Sequence, residues 1–351
     1  MWLSMGEAII SRYSGESEAI IPIIPGYHTL LVTLRDYNGD LLKDLYLNCK
    51  DGSTWYNYKT NEKGQVMYTC NSGSANITFP NNISNGLKIL GLNQTVMNVD
   101  APIGMTSKVN MNIPKGPEYY DLTATTNFMI LNKECDINIV GGGGGGAGGG
   151  GRYPNASSFT AGAGGAGYMN NYNMRMNGIY RFIVGSGGSG GPANCYGQTS
   201  SGTYGYIYGG AGGTSYVENT NMSAVGGAGG GIGSGGVGGL GNGGFAGPGS
   251  IKYPENSPVD FAGGGGAQAE WMTTSGGITS VNGGSPYGGK SVHGSAPGAG
   301  SRGGGGGAPS YTSDLGTYYG GARGGDGMMR IKIHYWYLHY RALYFKHNGT
   351  I

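Results

Sequence analysis

Charge is scarce in this 351-residue chain: only 11% of residues are Asp, Glu, Lys or Arg, and the formal net charge is +2. An ordinary globular domain carries about a quarter charged residues. The few basic residues are scattered, which excludes the broad positive face that nucleic acid requires. Long apolar runs are missing too. No stretch approaches the about 18 apolar residues of a membrane-spanning helix. The opening MWLSMGEAIISRY lacks the charged start, apolar stretch and small-residue cleavage site of a secretory signal, so no targeting segment is expected there. The four cysteines, Cys49, Cys70, Cys135 and Cys195, show neither CxxC nor metal-ligand spacing. Cys49 and Cys70 could face each other across a small β domain. The favoured reading is buried thiols in a protein made in a reducing cytosol.

Carboxylates are rare where chemistry would need them. Between residues 141 and 327 the acidic residues are Glu218, Glu255, Asp260, Glu270, Asp314 and Asp326. A polysaccharide hydrolase wants paired carboxylates in a groove, so this scarcity argues against an enzyme. The histidines are His28, His293, His334, His339 and His347. His334 and His339 are five apart, fall on opposite sides of a regular strand, and make a poor metal pair. No metal and no cofactor is expected. Residues Gly284 to Ser291 match the phosphate-loop pattern GxxxxGK[ST]. That motif works only when a helix follows it, and the VHGSAPGAG that follows here forms none.

What remains is β pattern and glycine. Residues 1–24 read as a leader ending in AIIPIIP, where Pro22 and Pro25 exclude helix. Residues 25–113 alternate apolar and polar: HTLLVTLRD, a turn at Asp36-Tyr37-Asn38-Gly39, LKDLYLNCKDG with a second turn at Asp51-Gly52, TWYNYK, then QVMYTC after a turn at Gly64. Short strands with turns every 8–12 residues predict a small antiparallel sandwich. Residues 114–334 are expected to form a glycine-rich domain framed by strands, and 335–351 an aromatic extension. The frame is TNFMILNKECDINIV, read as two strands bent near Asn132-Lys133, and GDGMMRIKIHY, with Met329, Ile331, Ile333 and Tyr335 on one side.

Of the 78 glycines, eleven precede Gly141 and one follows Gly327. A strict Gly-x-y period would mean collagen, but the frame breaks repeatedly. Read in threes, 226–249 gives GGA GGG IGS GGV GGL GNG GFA GPG, with two columns nearly bare and the third carrying Ala228, Ser234, Val237, Leu240 and Ala246. A helix of the polyproline-II type has three residues per turn, so each column is one face. Bare faces let neighbouring backbones approach until their N–H and C=O groups pair between helices, which this helix needs because it has no internal hydrogen bonds. The pattern predicts stacked polyglycine-II helices. The candidates are Gly141–Gly151, Ala161–Gly167, Gly185–Gly191, Ala262–Gly266, Gly298–Gly307 and Gly320–Gly327. The fold class expected is therefore all-β plus polyglycine-II.

The order strand, DxNG, strand, then the Thr60–Val66 turn, resembles immunoglobulin-like or carboxypeptidase-regulatory-like modules, which usually serve as spacers. DINIVGGGGGGAGGGG, NGIYRFIVGSGGSGG, YGGAGGTSYVENTNMSAVGGAGGG and GGARGGDGMMRIKIHY, in that order, resemble the glycine-rich domain of phage tail proteins, over about residues 125–335. The resemblance implies a structural virion protein of a tailed phage, made in the host cytoplasm. It implies a tail-fibre or tip adhesin, with a head fibre, capsid decoration or baseplate element as the alternative. Partners implied are other virion proteins, gripped through the leader and the C-terminal extension, a host-surface glycan or protein, and further copies of the chain.

Receptor contacts are expected in the segments that interrupt the glycine columns, because loops on a rigid scaffold carry function and tyrosine gives large contact area at low entropic cost. GYMNNYNMRMNG offers Tyr168, Asn170, Asn171, Tyr172, Asn173 and Arg175. CYGQTSSGTYGYIYGG offers Tyr196, Tyr204, Tyr206 and Tyr208. IKYPENSPVDF offers Tyr253 and Glu255, and APSYTSDLGTYYGG offers Tyr311, Asp314, Tyr318 and Tyr319. The competing reading is that these tyrosines cover the ends of a bundle with few side chains of its own. Such polar and aromatic loops suit a sugar.

Overall fold

The computed structural model describes residues 21–80, 82–83, 87–148, 163–192, 208–231, 287–290, 296–308 and 320–335. Regular structure among the described residues is all β: fifteen strands and no helix. The chain divides into two compact units, Met1–Pro117 with Met129–Leu131, and Glu118–Phe128 with Asn132–Ile351. Of the predicted leader only 21–24 is described, and of the extension 335–351 only Tyr335.

In the first unit, β1 (His28–Asp36), β4 (Gln65–Cys70) and β9 (Thr106–Ile113) form one sheet in the order β4-β1-β9. A second sheet has the order β3-β2-β5-β8, from β2 (Tyr46–Asp51), β3 (Thr54–Lys59), β5 (Ser74–Phe79) and β8 (Thr95–Asp100). Two short strands, β6 (Asn82–Ile83) and β7 (Leu87–Leu90), pair with each other. The turns fall where local chemistry puts them. Asp36 Oδ1 accepts the N–H of Asn38 at 2.8 Å and of Asp40 at 3.0 Å, and Gly39 takes a φ of 87°. Asn61 Oδ1 does the same for Lys63 and Gln65, ahead of Gly64 at φ 63°.

Alternation then sorts the side chains. Leu30, Val32 and Leu34 of β1 share a buried cluster with Leu47 and Cys49 of β2 and with Ala75, Ile77 and Phe79 of β5. Burying each large apolar side chain contributes about 1.5–3 kcal/mol. Cys49 and Cys70 are both buried and unpaired, as is Cys135; Cys195 lies outside the described residues. Burial pushes the Cys49 thiol up to about 12, with Cys70 nearby adding to the effect. His28 is buried with Nδ1 2.7 Å from the Pro102 carbonyl and Nε2 3.1 Å from Ser107 Oγ, which gives it a structural role. One expectation fails. The sandwich was predicted to be antiparallel throughout, but β1 and β9 run parallel, from Thr29 opposite Thr106 to Asp36 opposite Ile113. β8 belongs to the other sheet, so the chain changes sheets before β9 and lands beside β1 in the same direction.

The second unit has β10 (Tyr119–Leu122), β11 (Thr126–Val140), β12 (Met169–Ile183), β13 (Ser215–Val217), β14 (Ser223–Ala224) and β15 (Met328–His334). Their order is β10-β15-β11-β12-β13-β14. The predicted pair of strands bent near Asn132-Lys133 is one strand, β11, in which Asn132 adopts a φ of 51°. Phe128 and Ile130 are buried before it, Cys135, Ile137 and Ile139 after it. The left-handed residue therefore switches which face even and odd positions present.

Between the strands run the glycine segments. Residues 141–148 lie at their centre and make hydrogen bonds to six others at intervals of three residues. Gly141 and Gly144 donate to Tyr168 and Gly165, Gly142 and Gly145 to Gly213 and Gly210, Gly143 and Gly146 to Gly325 and Ala322, at 2.8–3.0 Å. These three acceptor segments run opposite to the centre. Carbonyls of the centre accept from three segments that run with it: from Gly188 and Gly191, from Gly227 and Gly230, and from Gly306, at 2.8–2.9 Å. From Gly141 to Gly146 side chains have no place. A Cβ would stand 2.0 Å from the Gly304 oxygen at Gly143, 1.9 Å from that of Ala228 at Gly144, and 1.9 Å from that of Ser189 at Gly145. Side chains appear on the outside instead, with Ser186, Ser189 and Pro192 exposed at the same three-residue interval. In 226–231 the bare columns face neighbouring segments and Ala228 is exposed; 232–249 lies outside the described residues, as does 262–266.

Candidate functional site

Two features of the second unit gather candidate groups. One is the end of the glycine bundle remote from the strands. Val140 leads into the centre from β11, and Gly303, close to Val140, marks the strand end. At the opposite end, Gly148 lies against Pro192, Gly209 donates to Gly230, Gly321 donates to Gly191, and Ala147 packs with Ala308. The described residues that flank 149–162, 193–207 and 309–319 therefore gather at that one end, as does Gly231 at the start of 232–286. Tyr196, Tyr204, Tyr206, Tyr253, Tyr311, Asp314, Tyr318 and Tyr319 all fall in these ranges and lie outside the described residues. Tyr208, the last of the second predicted segment, is described and is 60% exposed.

The other feature is a polar face on β10, β15, β11 and β12. Strand register puts Asp121, Arg330 and Asn138 in one row, and Tyr119, Lys332 and Asp136 in the next. Arg330 donates from Nε and Nη2 to the Asp121 carboxylate at 2.5 and 2.7 Å, a two-point contact that fixes both groups. Asn138 donates to Asn171 at 2.6 Å, and Asn173 to Asp136 at 2.6 Å. The second Asp136 oxygen is 2.7 Å from His334 Nε2. Arg175 Nε donates to Asn132 Oδ1 at 2.5 Å. Burial disfavours the Lys332 ammonium, but the Tyr119 hydroxyl and the Glu118 carboxylate overcome it and hold its pKa above the ordinary lysine value. Behind this face, burial pushes the Cys135 thiol up to about 12, aided by Asp136 and Glu134. No cluster of three or more metal-ligating side chains occurs among the described residues.

The first predicted segment needs correction in form. Asn170 to Arg175 do not sit in a loop but in β12, a strand of fifteen residues. Asn171, Asn173 and Arg175 join the polar face. Tyr172 and Asn170 point elsewhere and bond the Ser223 backbone of β14, at 2.9 Å from Tyr172 Oη and 2.5 Å from Asn170 Nδ2. Tyr168, half-exposed, accepts from Gly141 through its carbonyl where the bundle meets the strands. The signal was present in the sequence: Tyr172, Met174 and Met176 alternate with Asn171, Asn173 and Arg175, the period of a strand. The same reading would have found Asp136, Asn138, Arg330 and Lys332, which alternate with the buried isoleucines 137, 139, 331 and 333; Asn138 and Arg330 are themselves buried, bonded to Asn171 and Asp121.

No family model matches the chain, and no curated protein matches it. Among solved structures, a streptococcal ancillary pilin is similar over 44% of this chain and 53% of its own, at 8% identity and a TM-score of 0.22. The chain spans about half the length of that pilin, and a likeness this slight carries no argument about fold or role.

Proposed function

We propose that this chain is a structural, non-enzymatic virion protein of a tailed phage, a tail-fibre or tip adhesin whose glycine-rich unit holds recognition segments at one end. The ordered set of glycine-rich motifs motivates the phage assignment. The observation that carries the adhesin reading is the convergence, at one end of a bundle whose central segment is hydrogen-bonded to six neighbours, of the residues flanking 149–162, 193–207 and 309–319. Such a scaffold presents several segments together and holds their bases still, the arrangement by which loops on rigid frames recognise surfaces. The tyrosine-rich composition of 193–208 and 311–319 supports a host-surface glycan or protein as the target.

The bundle segments are polyglycine-II helices on this reading. Three-residue spacing of hydrogen bonds, bonding only between segments, and the clash of any Cβ with a neighbouring carbonyl all support that assignment.

The decisive experiment is adsorption. Purified chain should block particles from binding host cells, and exchange of 196–208 and 311–319 for the corresponding segments of a related chain should change which hosts are bound. Unchanged adsorption after both exchanges overturns the adhesin reading, and leaves a head-fibre, decoration or baseplate role.

A further inference from the structure

The first unit, whose resemblance implies a spacer, carries a groove of its own, distinct from the bundle end and argued without reference to it. β3 is the edge of its sheet, and Trp55 there is 54% exposed. Strand register draws a single line across all four strands of the outer face: Trp55 opposite Lys50, Lys50 opposite Asn76, Asn76 opposite Asn98. Beside that line lies a groove of about 420 Å³, lined by Lys50, Gly52, Trp55, Ser72, Ser74 and Asn76. This volume falls in the range of small-molecule sites, about 300–1,000 Å³.

The groove is a built feature. Asp51 Oδ1 and Oδ2 accept the backbone N–H of Asn71 and Oδ1 that of Ser72, at 3.1–3.3 Å, which ties the 71–74 wall to the β2–β3 turn. At that turn Gly52 takes a φ of 58°, and no side chain narrows the entrance. Asn76 donates to Asn98 at 2.7 Å and accepts from Thr78 Oγ1 at 3.2 Å. Each half of its amide is thereby oriented, with one N–H and one lone pair to spare. Asp51 turns its carboxylate oxygens to the wall and makes no ion pair with Lys50. The Lys50 ammonium instead stands 5.6 Å from the Trp55 ring centroid, with no carboxylate partner among the described residues. Lys50 is the one charged side chain among the lining residues.

We propose that this groove binds a pyranose that carries a carboxylate, as in an acidic polysaccharide. The apolar face of the sugar ring stacks on Trp55, which supplies a large rigid surface. The sugar carboxylate pairs with Lys50, whose ammonium lies over the Trp55 ring in the free chain and swings aside on its long stem as the sugar stacks there. Ring hydroxyls bond the spare donor and acceptor of Asn76 and the hydroxyls of Ser72 and Ser74. Charge selects the class: a neutral sugar would use the ring and the amide but leave the lone cation unanswered.

The test is calorimetric titration of the full chain with three acidic probes, tetragalacturonate, a hyaluronan tetrasaccharide and sialyllactose, each beside a neutral counterpart. At least one acidic probe should bind at least ten-fold more tightly than its neutral counterpart. Trp55→Ala should weaken that binding at least ten-fold, and Lys50→Gln should abolish the preference for acid over neutral. Both side chains are outside the core, so thermal melting should match the parent chain. Failure of all three acidic probes, equal binding of their neutral counterparts, or binding that survives both substitutions overturns the proposal. Host adsorption through 196–208 and 311–319 is read separately, so either result stands without the other.

Discussion

In the first unit Leu47, Ile77 and Phe79 are buried between sheets, and the space between the sheets is set by those side chains. In the second, Gly143, Gly144 and Gly145 leave no room for a single methyl group. The same need, that buried backbone groups find partners, is met in two ways. Strands pair edge to edge and leave their faces free to bury apolar area. The central glycine segment pairs on every side at once, which is possible only where no face carries a side chain. The cost is entropic, since each ordered glycine gives up about 0.5–1 kcal/mol relative to alanine. The gain is a set of hydrogen bonds shielded from water by other hydrogen bonds.

The contrast can be broken by substitution, because the two cores should fail in opposite directions. Replacing Gly144 and Gly145 together by alanine drives two methyl groups into carbonyl oxygens at 1.9 Å, and should abolish the separate melting transition of the second unit; each change alone should cost about 3 kcal/mol or more. Ser189→Ala, on the exposed column, should stay within about 0.5 kcal/mol. If the double variant melts like the parent, the packing described for 141–148 is wrong. Enlarging residues destroys that unit, while shrinking them should destroy the first. Ile77→Ala is expected to lower the first unit's stability by about 2–5 kcal/mol and leave the second transition in place, as read by calorimetry.

A smaller effect sharpens the comparison through pH. Burial raises the pKa of Cys49, Cys70 and Tyr68 in the first unit and of Cys135 in the second, holding each group in its protonated form. A raised folded pKa favours the protonated native state, so this stability is complete below the unfolded thiol value near 9.0 and is lost as pH rises toward about 12. The first unit holds more such groups among the described residues, and its transition should fall faster between pH 9 and 11. Equal slopes would mean that the thiols are more accessible than their burial implies.

How much of this was readable from residues alone depended on whether the information was local. Asp36-Tyr37-Asn38-Gly39 announces a turn because a side-chain oxygen and a left-handed glycine do the work within four residues, and Asp51-Gly52 does so through its left-handed glycine. The three-residue glycine columns were readable for the same reason, being a property of one segment. The parallel pairing of β1 with β9 was not, since it depends on where a chain returns after seventy residues. The first half of β12, 169–176, reads as a loop in sequence because its alternation sets Tyr and Met against Asn and Arg, and two polar-looking sides hide the period that apolar residues make plain; NGIYRFIVG at 177–185 reads as β-like. The polar face was hidden differently. Asp121 and Arg330 are 209 positions apart and meet only through the order of the sheet.

The three-residue spacing around Gly141 to Gly146 carries a consequence for how such a protein can change over generations. Adding or deleting one or two residues inside a bundle segment would rotate every later position onto the wrong neighbour. Length changes there are confined to multiples of three, and a longer centre demands matching growth in the segments around it. Through the described bundle, length therefore changes only in steps of three residues and in several segments together, so the frame is extended or shortened as a whole.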